Sequence, residues 1–168
     1  MGREETGVSV SAEKEETWKL SPRERAILGQ MKLGLSNEGI AEALCLAVST
    51  VKNAQVGLTK LVETEVGRHI EGRLDLLFTL GELPRPDQTE VFEYYKVTQG
   101  LRKREAQILA CQTMGLTNAP IAEKLRIKIS TVKDGARTGR AIMGAEGMSG
   151  FELYFRMRKE LEAGAKET

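Results

Sequence analysis

The feature that most constrains this chain is an internal repeat. Residues 20–62 align without a gap on residues 101–143 when the sequence is shifted by 81 positions. Sixteen of the 43 aligned positions are identical, including Ser49–Lys52, which recurs as Ser130–Lys133. This agreement is far above chance, so one structural unit is used twice.

The first copy opens with a strong signal for the start of a helix. Ser21 can accept a hydrogen bond from a free backbone N–H, Pro22 suits the first turn, and Glu24 completes a capping box. Apolar residues then recur at helical spacing until Gly34, a residue suited to ending a helix. We therefore predict a first helix over roughly residues 22–33.

The rest of the copy predicts a helix-turn-helix. Ser36 or Asn37 can cap a short second helix, and Ser49 lies at the start of a longer third helix. A short helix, a tight turn and a longer helix define this motif. In the second copy, helix one is predicted over residues 102–114, and Thr117 can cap helix two.

Each copy is followed by a further apolar segment. The first continues as a predicted fourth helix over about residues 65–80, and the second as a final helix over about residues 151–161. The fourth helix is long enough to cover the core of the first unit and to self-associate, and the large apolar side of the final helix indicates burial between the repeats or in a dimer interface. Gly135 and Gly139 lie one turn apart in the third helix of the second copy. This spacing indicates either a close helix–helix approach or a frayed helix end.

We therefore expect an all-α chain with two tandem helix-turn-helix units, each of three to four helices, related by the repeat of 81 residues. Between them, two nearby prolines predict an extended spacer, and Thr89 can cap the helix that follows. Phe92, Tyr94 and Tyr95 are expected to pack between the units, with base stacking as the alternative. The predicted boundaries are a mobile acidic arm (1–17), a first unit (18–81), a proline-containing linker (82–88), a second unit (89–163) and a tail (164–168).

Composition argues against several classes of function. His69 is the only histidine, and Cys45 and Cys111 have no partner at metal-ligand spacing, so we expect two small core cysteines and no metal site. We find no glycine-rich phosphate loop and no nucleophile–base pair, and therefore expect no catalytic residues, no cofactor and no enzyme. No apolar run approaches the ~20 residues of a membrane span, and the acidic N-terminus does not resemble a secretory signal. We expect a cytoplasmic, nucleoid-associated protein.

Positive charge is concentrated on the repeats. Residues 101–143 carry nine Lys or Arg against three Asp or Glu, and residues 20–62 carry five against three. Residues 1–18 and 63–100 have net charges of −3 and −4, although the whole chain has only +1. This pattern is expected if the repeats face phosphates.

Several short motifs of the first copy resemble the LuxR/GerE-type DNA-binding domain. They are Leu-Ser-Pro-Arg-Glu-Arg at 20–25, Gly-Leu-Ser-Asn at 34–37, Ile-Ala-Glu at 40–42 and Thr-Val-Lys-Asn at 50–53. Region 4 of bacterial sigma factors is a more distant relative. The resemblance covers about 43 residues of each copy, or about half of the chain. It implies a four-helix unit whose third helix enters the DNA major groove.

The resemblance also implies which residues contact DNA. The N-terminal part of each third helix would face base edges, and its flanks would face phosphates, while Val51 and Val132 would be buried. The candidates in the first copy are Ser49, Thr50, Lys52, Asn53, Val56 and Lys60, and those in the second are Lys128, Ser130, Thr131, Lys133, Arg137 and Arg140.

These observations favour a sequence-specific transcriptional regulator that binds double-stranded DNA through two LuxR-like units. The alternative is a helix-turn-helix module that binds a transcription-related protein, with weak or no DNA binding. Ala54 and Gly135 stand where the family usually carries a histidine, and this departure, the interior glycines and the acidic connecting segments favour this alternative. Further expected partners are a second copy of the chain, bound through the fourth or C-terminal helices, and RNA polymerase or another transcription protein.

Overall fold

The computed structural model describes residues 18–166, and this part of the chain is α-helical with no strand. The expected arm at residues 1–17 lies outside the described residues. The first unit consists of helices α1 (Pro22–Met31), α2 (Asn37–Ala43), α3 (Val48–Val66) and α4 (Arg73–Leu80). The second consists of α5 (Gln88–Glu93), a π-helical turn (Tyr94–Thr98), α6 (Lys103–Thr113), α7 (Asn118–Leu125), α8 (Ile129–Ile142) and α9 (Gly150–Lys166).

The internal repeat is present in the backbone. Helices α6, α7 and α8 begin 81 residues after α1, α2 and α3, respectively. The turns repeat as well, because Gly34 and Gly115 both have positive φ, and so do Cys45 and Arg126 with φ of 52° and 53°. The two copies are therefore equivalent at the starts of their first three helices and at these two turns.

Two of the predicted helix caps are present. The predicted cap at Thr117 is wrong, because its hydroxyl donates to the carboxylate of Glu71 at 2.6 Å and makes no capping hydrogen bond at the start of α7. Ser21 and Glu24 form the predicted capping box at the start of α1. Ser36 accepts a hydrogen bond from the backbone N–H of Gly39 and so caps α2. The start of α5 differs from the prediction, because Asp87 rather than Thr89 accepts the free N–H groups. A carboxylate accepts these bonds more strongly than a hydroxyl.

The predicted fourth helix over residues 65–80 is wrong. Helix α3 instead continues to Val66 and ends at Gly67, which has the left-handed conformation. A new helix, α4, starts only after Gly72, which also has positive φ. Two glycines within six residues therefore interrupt an apolar period that the sequence suggests is continuous. The final helix is longer than predicted and runs to Lys166, into the segment expected to be a tail.

The two units share one hydrophobic core. Tyr154 of α9 is 1 % exposed, and its ring meets that of Phe78 of α4 edge to face with centroids 5.4 Å apart. Phe155 of α9 packs on the backbone of Gly34, where a Cβ would approach the ring to 3.2 Å. Of the two expectations for these apolar faces, burial between the repeats is the one the structure shows.

The connection between the units is held against this body rather than extended away from it. The hydroxyl of Tyr154 donates to the carbonyl of Pro84 at 3.0 Å. Arg85 and Arg68 both bind the buried carboxylate of Asp75, at 3.0 and 2.8 Å. Although burial opposes ionisation, hydrogen bonds from Arg68, the backbone of Glu71 and Arg85 leave the pKa of Asp75 below its usual range.

Side chains at the start of the second unit serve packing. Tyr94 and Tyr95 are 2 % and 0 % exposed, so base stacking by these two rings is excluded. The hydroxyl of Tyr95 shares a 2.6 Å hydrogen bond with buried Thr113.

The prediction of two core cysteines holds for Cys111 but is wrong for Cys45, which is exposed at the turn after α2.

Helix α8 lies unusually close to α6. A Cβ on Gly135 would lie 2.5 Å from the terminal methyl of Ile108, and one on Gly139 would lie 2.9 Å from that of Leu109. The helix is continuous through both glycines. Close helix approach is therefore the correct interpretation of this glycine pair, and a frayed end is not.

We predict that replacing Gly139 with Leu, the residue at the equivalent position of the first copy, lowers the free energy of unfolding by about 1–3 kcal/mol because it overpacks a filled contact. Urea denaturation measures this change. Gly57 of α3 is the control, since a Cβ there meets no described side chain within 4 Å. Gly57→Ala should raise the free energy of unfolding by about 0.5–1 kcal/mol. Equal changes in both variants would contradict the close approach.

The left-handed residue at the end of α7 generates a second prediction. Arg126 has a φ of 53°, which costs an L-residue roughly 1–2 kcal/mol. Arg126→Gly should therefore raise the free energy of unfolding by about 1 kcal/mol in the same assay. Arg126→Ala keeps the Cβ and should give no such gain, and a matching gain from alanine would argue against backbone strain at this turn.

Candidate nucleic-acid interface

Helix α3 has one buried side and one exposed side. Val51, Leu58 and Val62 are fully buried, as predicted for Val51, and they hold the helix against α1 and α2. The opposite side is exposed, because helical residues three, four or seven apart share a face. Five of the six candidates lie on this face: Ser49, Lys52, Asn53, Val56 and Lys60. Thr50, the sixth, is half-buried at its edge.

Helix α8 repeats this arrangement with different chemistry. Val132 is fully buried like Val51. Ser130, Lys133 and Arg137 are exposed at the positions equivalent to Ser49, Lys52 and Val56, and Lys128 and Thr131 are exposed beside them. Asp134 replaces Asn53 and forms a 2.9 Å ion pair with Arg137. Both partners are more than 60 % exposed, so this pair adds little stability and can exchange for another contact.

The expectation that Arg140 is an exposed contact residue is wrong. Its guanidinium turns inward and donates to the carbonyl of Met148 at 2.6 Å, to that of Ala136 at 3.2 Å and to the side chain of Gln112 at 2.7 Å. Burial lowers the pKa of this group. Arg140 therefore ties α8 to α6 and to the loop before α9.

A partly buried polar network positions α3. The Gln55 amide on α3 donates to Oδ1 of Asn37 at 2.7 Å. The same oxygen accepts from Arg73 at 3.1 Å, and Arg73 also donates to the carbonyl of Leu35 at 2.9 Å. The guanidinium lies over the ring of Phe151, 4.5 Å from its centroid. Arg73 therefore links the turn before α2, the third helix and the last helix of the other unit.

Sequence reasoning missed Arg73. It lies outside the repeat, and its three partners are 36 to 78 positions away, so no local pattern indicates its role. Burial lowers its pKa, although Glu38 opposes this shift. The one available signal is that Arg73, the first residue of α4, directly precedes an apolar run. An arginine in such a position is ordinarily interpreted as a solvated charge.

Comparison with known proteins identifies both copies. The family described as bacterial regulatory proteins, luxR family, matches residues 19–57 and again residues 99–134. These segments contain α1 and α2 with the first part of α3, and α6 and α7 with the first part of α8. The chain therefore contains two LuxR-type helix-turn-helix units in tandem. No curated protein and no solved structure matches it.

The family assignment bears on the kind of function. LuxR-type helix-turn-helix domains bind DNA and regulate transcription, and the family is one of regulators rather than enzymes. Within residues 18–166, no cluster of three His, Cys, Asp or Glu side chains could hold a metal ion. Over the same residues, no helix has both the length and the apolar character needed to cross a bilayer.

We predict that Arg73→Lys lowers the free energy of unfolding by about 1–3 kcal/mol, because lysine cannot make both hydrogen bonds and stack on Phe151. Thermal or urea denaturation of the full chain measures the loss. Arg104→Lys changes an exposed arginine of α6 and should stay within about 0.5 kcal/mol of wild type. If the two variants are equally stable, Arg73 does not link the units.

Proposed function

We propose that this chain is a sequence-specific DNA-binding transcriptional regulator in which α3 and α8 each enter a major groove. The observation that carries the proposal is the exposed face of each third helix. It begins at the same repeat position in both LuxR-type units and presents hydroxyl, amide and cationic groups opposite a fully buried valine. Such groups read base edges and bind phosphates.

In the first unit, the proposed base reader is Asn53. Its exposed carboxamide has the donor and acceptor that pair with adenine in the major groove. Val56 is 53 % exposed on the same face and can contact a thymine methyl. Lys52 and Lys60 flank them and suit phosphates, while Ser49 and Thr50 at the helix start can donate to a phosphate or a base.

In the second unit, the proposed base reader is Arg137. Its guanidinium can give up its ion pair with Asp134 and donate to the two acceptors of guanine instead. Lys133 and Lys128 suit phosphates, and Ser130 and Thr131 occupy the helix start. Arg140 leaves the proposed contact set because its donors are used within the protein. The two units would therefore read different sequences.

The two units together would act as a built-in dimer. On this proposal, residues 18–81 and 89–163 occupy successive major-groove faces roughly 34 Å apart. Because α4 and α9 bury their apolar sides against each other, the proposal needs no second copy of the chain. The expected contact with a transcription protein and the expected location at the nucleoid stay predictions.

A second candidate is a protein-interaction module, and one observation favours it. Asp134 lies on the exposed face of α8, at the position where the first unit has Asn53. A carboxylate on this face repels DNA phosphates and therefore suits a protein surface better than a phosphate backbone. In this case α8 would bind a transcription-related protein, while α3 alone could contact DNA.

We predict that selection from a random pool of double-stranded DNA enriches a motif with two separated halves. The double variant Lys52→Glu/Asn53→Ala should lose one half, and Lys133→Glu/Arg137→Ala should lose the other, because each removes a base reader and a phosphate contact. Lys159→Glu is the control, since this exposed lysine lies on α9. Its motif should match that of wild type.

The salt dependence of the selected complex provides a second readout. Lys52→Glu should reduce the slope of log affinity against log salt by about 1, as expected for loss of one phosphate contact. Failure of the folded wild-type chain to enrich any DNA at low salt would overturn the proposal. A motif with a single half that only the α3 variant abolishes would favour the second candidate.

A further inference from the structure

A pocket of about 350 Å³ lies in the second unit, and none of the DNA-contact candidates lines it. It is formed between α5, α6 and α7, and none of its lining residues belongs to α8. Its volume lies within the range of small-molecule sites. The lining residues are Gln88, Thr89, Phe92, Lys103, Gln107, Ala110, Cys111, Lys124 and Leu125.

The lining combines an apolar base with positive charge. Phe92, Ala110 and Leu125 supply apolar surface, and Lys103 and Lys124 supply two exposed ammonium groups. Among the described residues that line the pocket, none is acidic. Lys124 makes only a long hydrogen bond, 3.4 Å, to the side chain of Gln88, which an anionic ligand can replace.

A third cation lies near the same ring. The ammonium of Lys96 is 5.6 Å from the centroid of Phe92, within the range of a cation–π contact. Lys96 does not line the pocket, but it adds to the positive potential around it. Three ammonium groups therefore lie at or beside the pocket, those of Lys96, Lys103 and Lys124.

The pocket belongs to the second unit only. The positions equivalent to Lys103 and Lys124 in the first copy are Pro22 and Ala43, and the position equivalent to Gln107 is Ala26. The first copy thus lacks both ammonium groups and one amide of the pocket. The helix-turn-helix fold does not require these groups, because the first copy forms the same helices without them.

We propose that this pocket binds a small organic anion with an apolar body, such as an aromatic or aliphatic carboxylate, sulfonate or phosphate. The acidic group lies between Lys103 and Lys124, and the body packs on Phe92, Ala110 and Leu125. Gln88, Thr89 and Gln107 offer further hydrogen bonds to polar atoms of the ligand. This binding does not depend on the proposed DNA contacts.

A matched pair of fluorescent dyes tests the charge requirement in the full chain. Anilinonaphthalene sulfonate is an apolar body with one anionic group, and N-phenylnaphthylamine is the same body without it. The sulfonate should bind the wild type with 1:1 stoichiometry, and Lys103→Ala/Lys124→Ala should weaken it roughly tenfold. The neutral dye should bind both proteins weakly and equally. Lys159→Ala is the control and should bind the sulfonate like wild type.

The thiol of Cys111 tests where the dye binds. Cys111 lines the pocket, whereas Cys45 is exposed in the first unit and serves as an internal control. Because burial raises the pKa of Cys111, alkylation with iodoacetamide is measured at about pH 8.5. Bound sulfonate should slow alkylation of Cys111 at least about threefold, a change expected at dye concentrations above twice Kd.

Alkylation of Cys45 should not change. Sulfonate binding that survives loss of both lysines, or equal protection of the two cysteines, would overturn the proposal. The proposal would also be overturned if the neutral dye bound the wild type as tightly as the sulfonate does.

Discussion

The packing of α4 against α9 is the contact on which the architecture of this chain depends. Helix-turn-helix units of about 60 residues bury little surface alone, and here each contributes apolar side chains to one continuous core. Phe78 and Tyr154 pack together within this core, and burial of each such side chain contributes about 1.5–3 kcal/mol. Arg73 adds hydrogen bonds to Leu35 and Asn37 and a stacked contact with Phe151. The two units repeat each other in sequence but form one body in structure. The position of α3 relative to α8 is therefore fixed.

Within this body the two units differ in ways that affect their surfaces. Gly135 and Gly139 bring α8 close to α6, whereas Ala54 and Leu58 occupy the equivalent places on α3. The exposed face of α3 carries an amide and a valine where that of α8 carries Asp134 and Arg137. A fixed pair of unlike surfaces suits an asymmetric partner, such as a DNA site with two different halves, better than a symmetric one.

Much of the fold follows from local sequence signals, and the remainder depends on contacts distant in the chain. The capping box of Ser21 and Glu24, the burial of Val51 and Val132 and the helix starts repeated after 81 residues are all predictable, because each depends on neighbours a few positions away. The end of α3 at Gly67 was missed, because an apolar period continued through a segment that two glycines interrupt. The inward turn of Arg140 and the role of Arg73 were missed because their partners lie on other helices. The exposed faces of the third helices were predicted well, since helical periodicity determines which residues lie opposite a buried valine.

The most direct test of the central claim is the affinity for a selected two-half DNA site as the spacing between its halves is changed. If the two units form one body, inserting about five base pairs, half a helical turn, moves one half to the opposite side of the duplex and should lower affinity to that of a single half-site. Restoring a full turn cannot rescue it, because the body cannot extend. An affinity that stays constant across spacings would show that the units move independently, and would contradict the shared core as the basis of recognition.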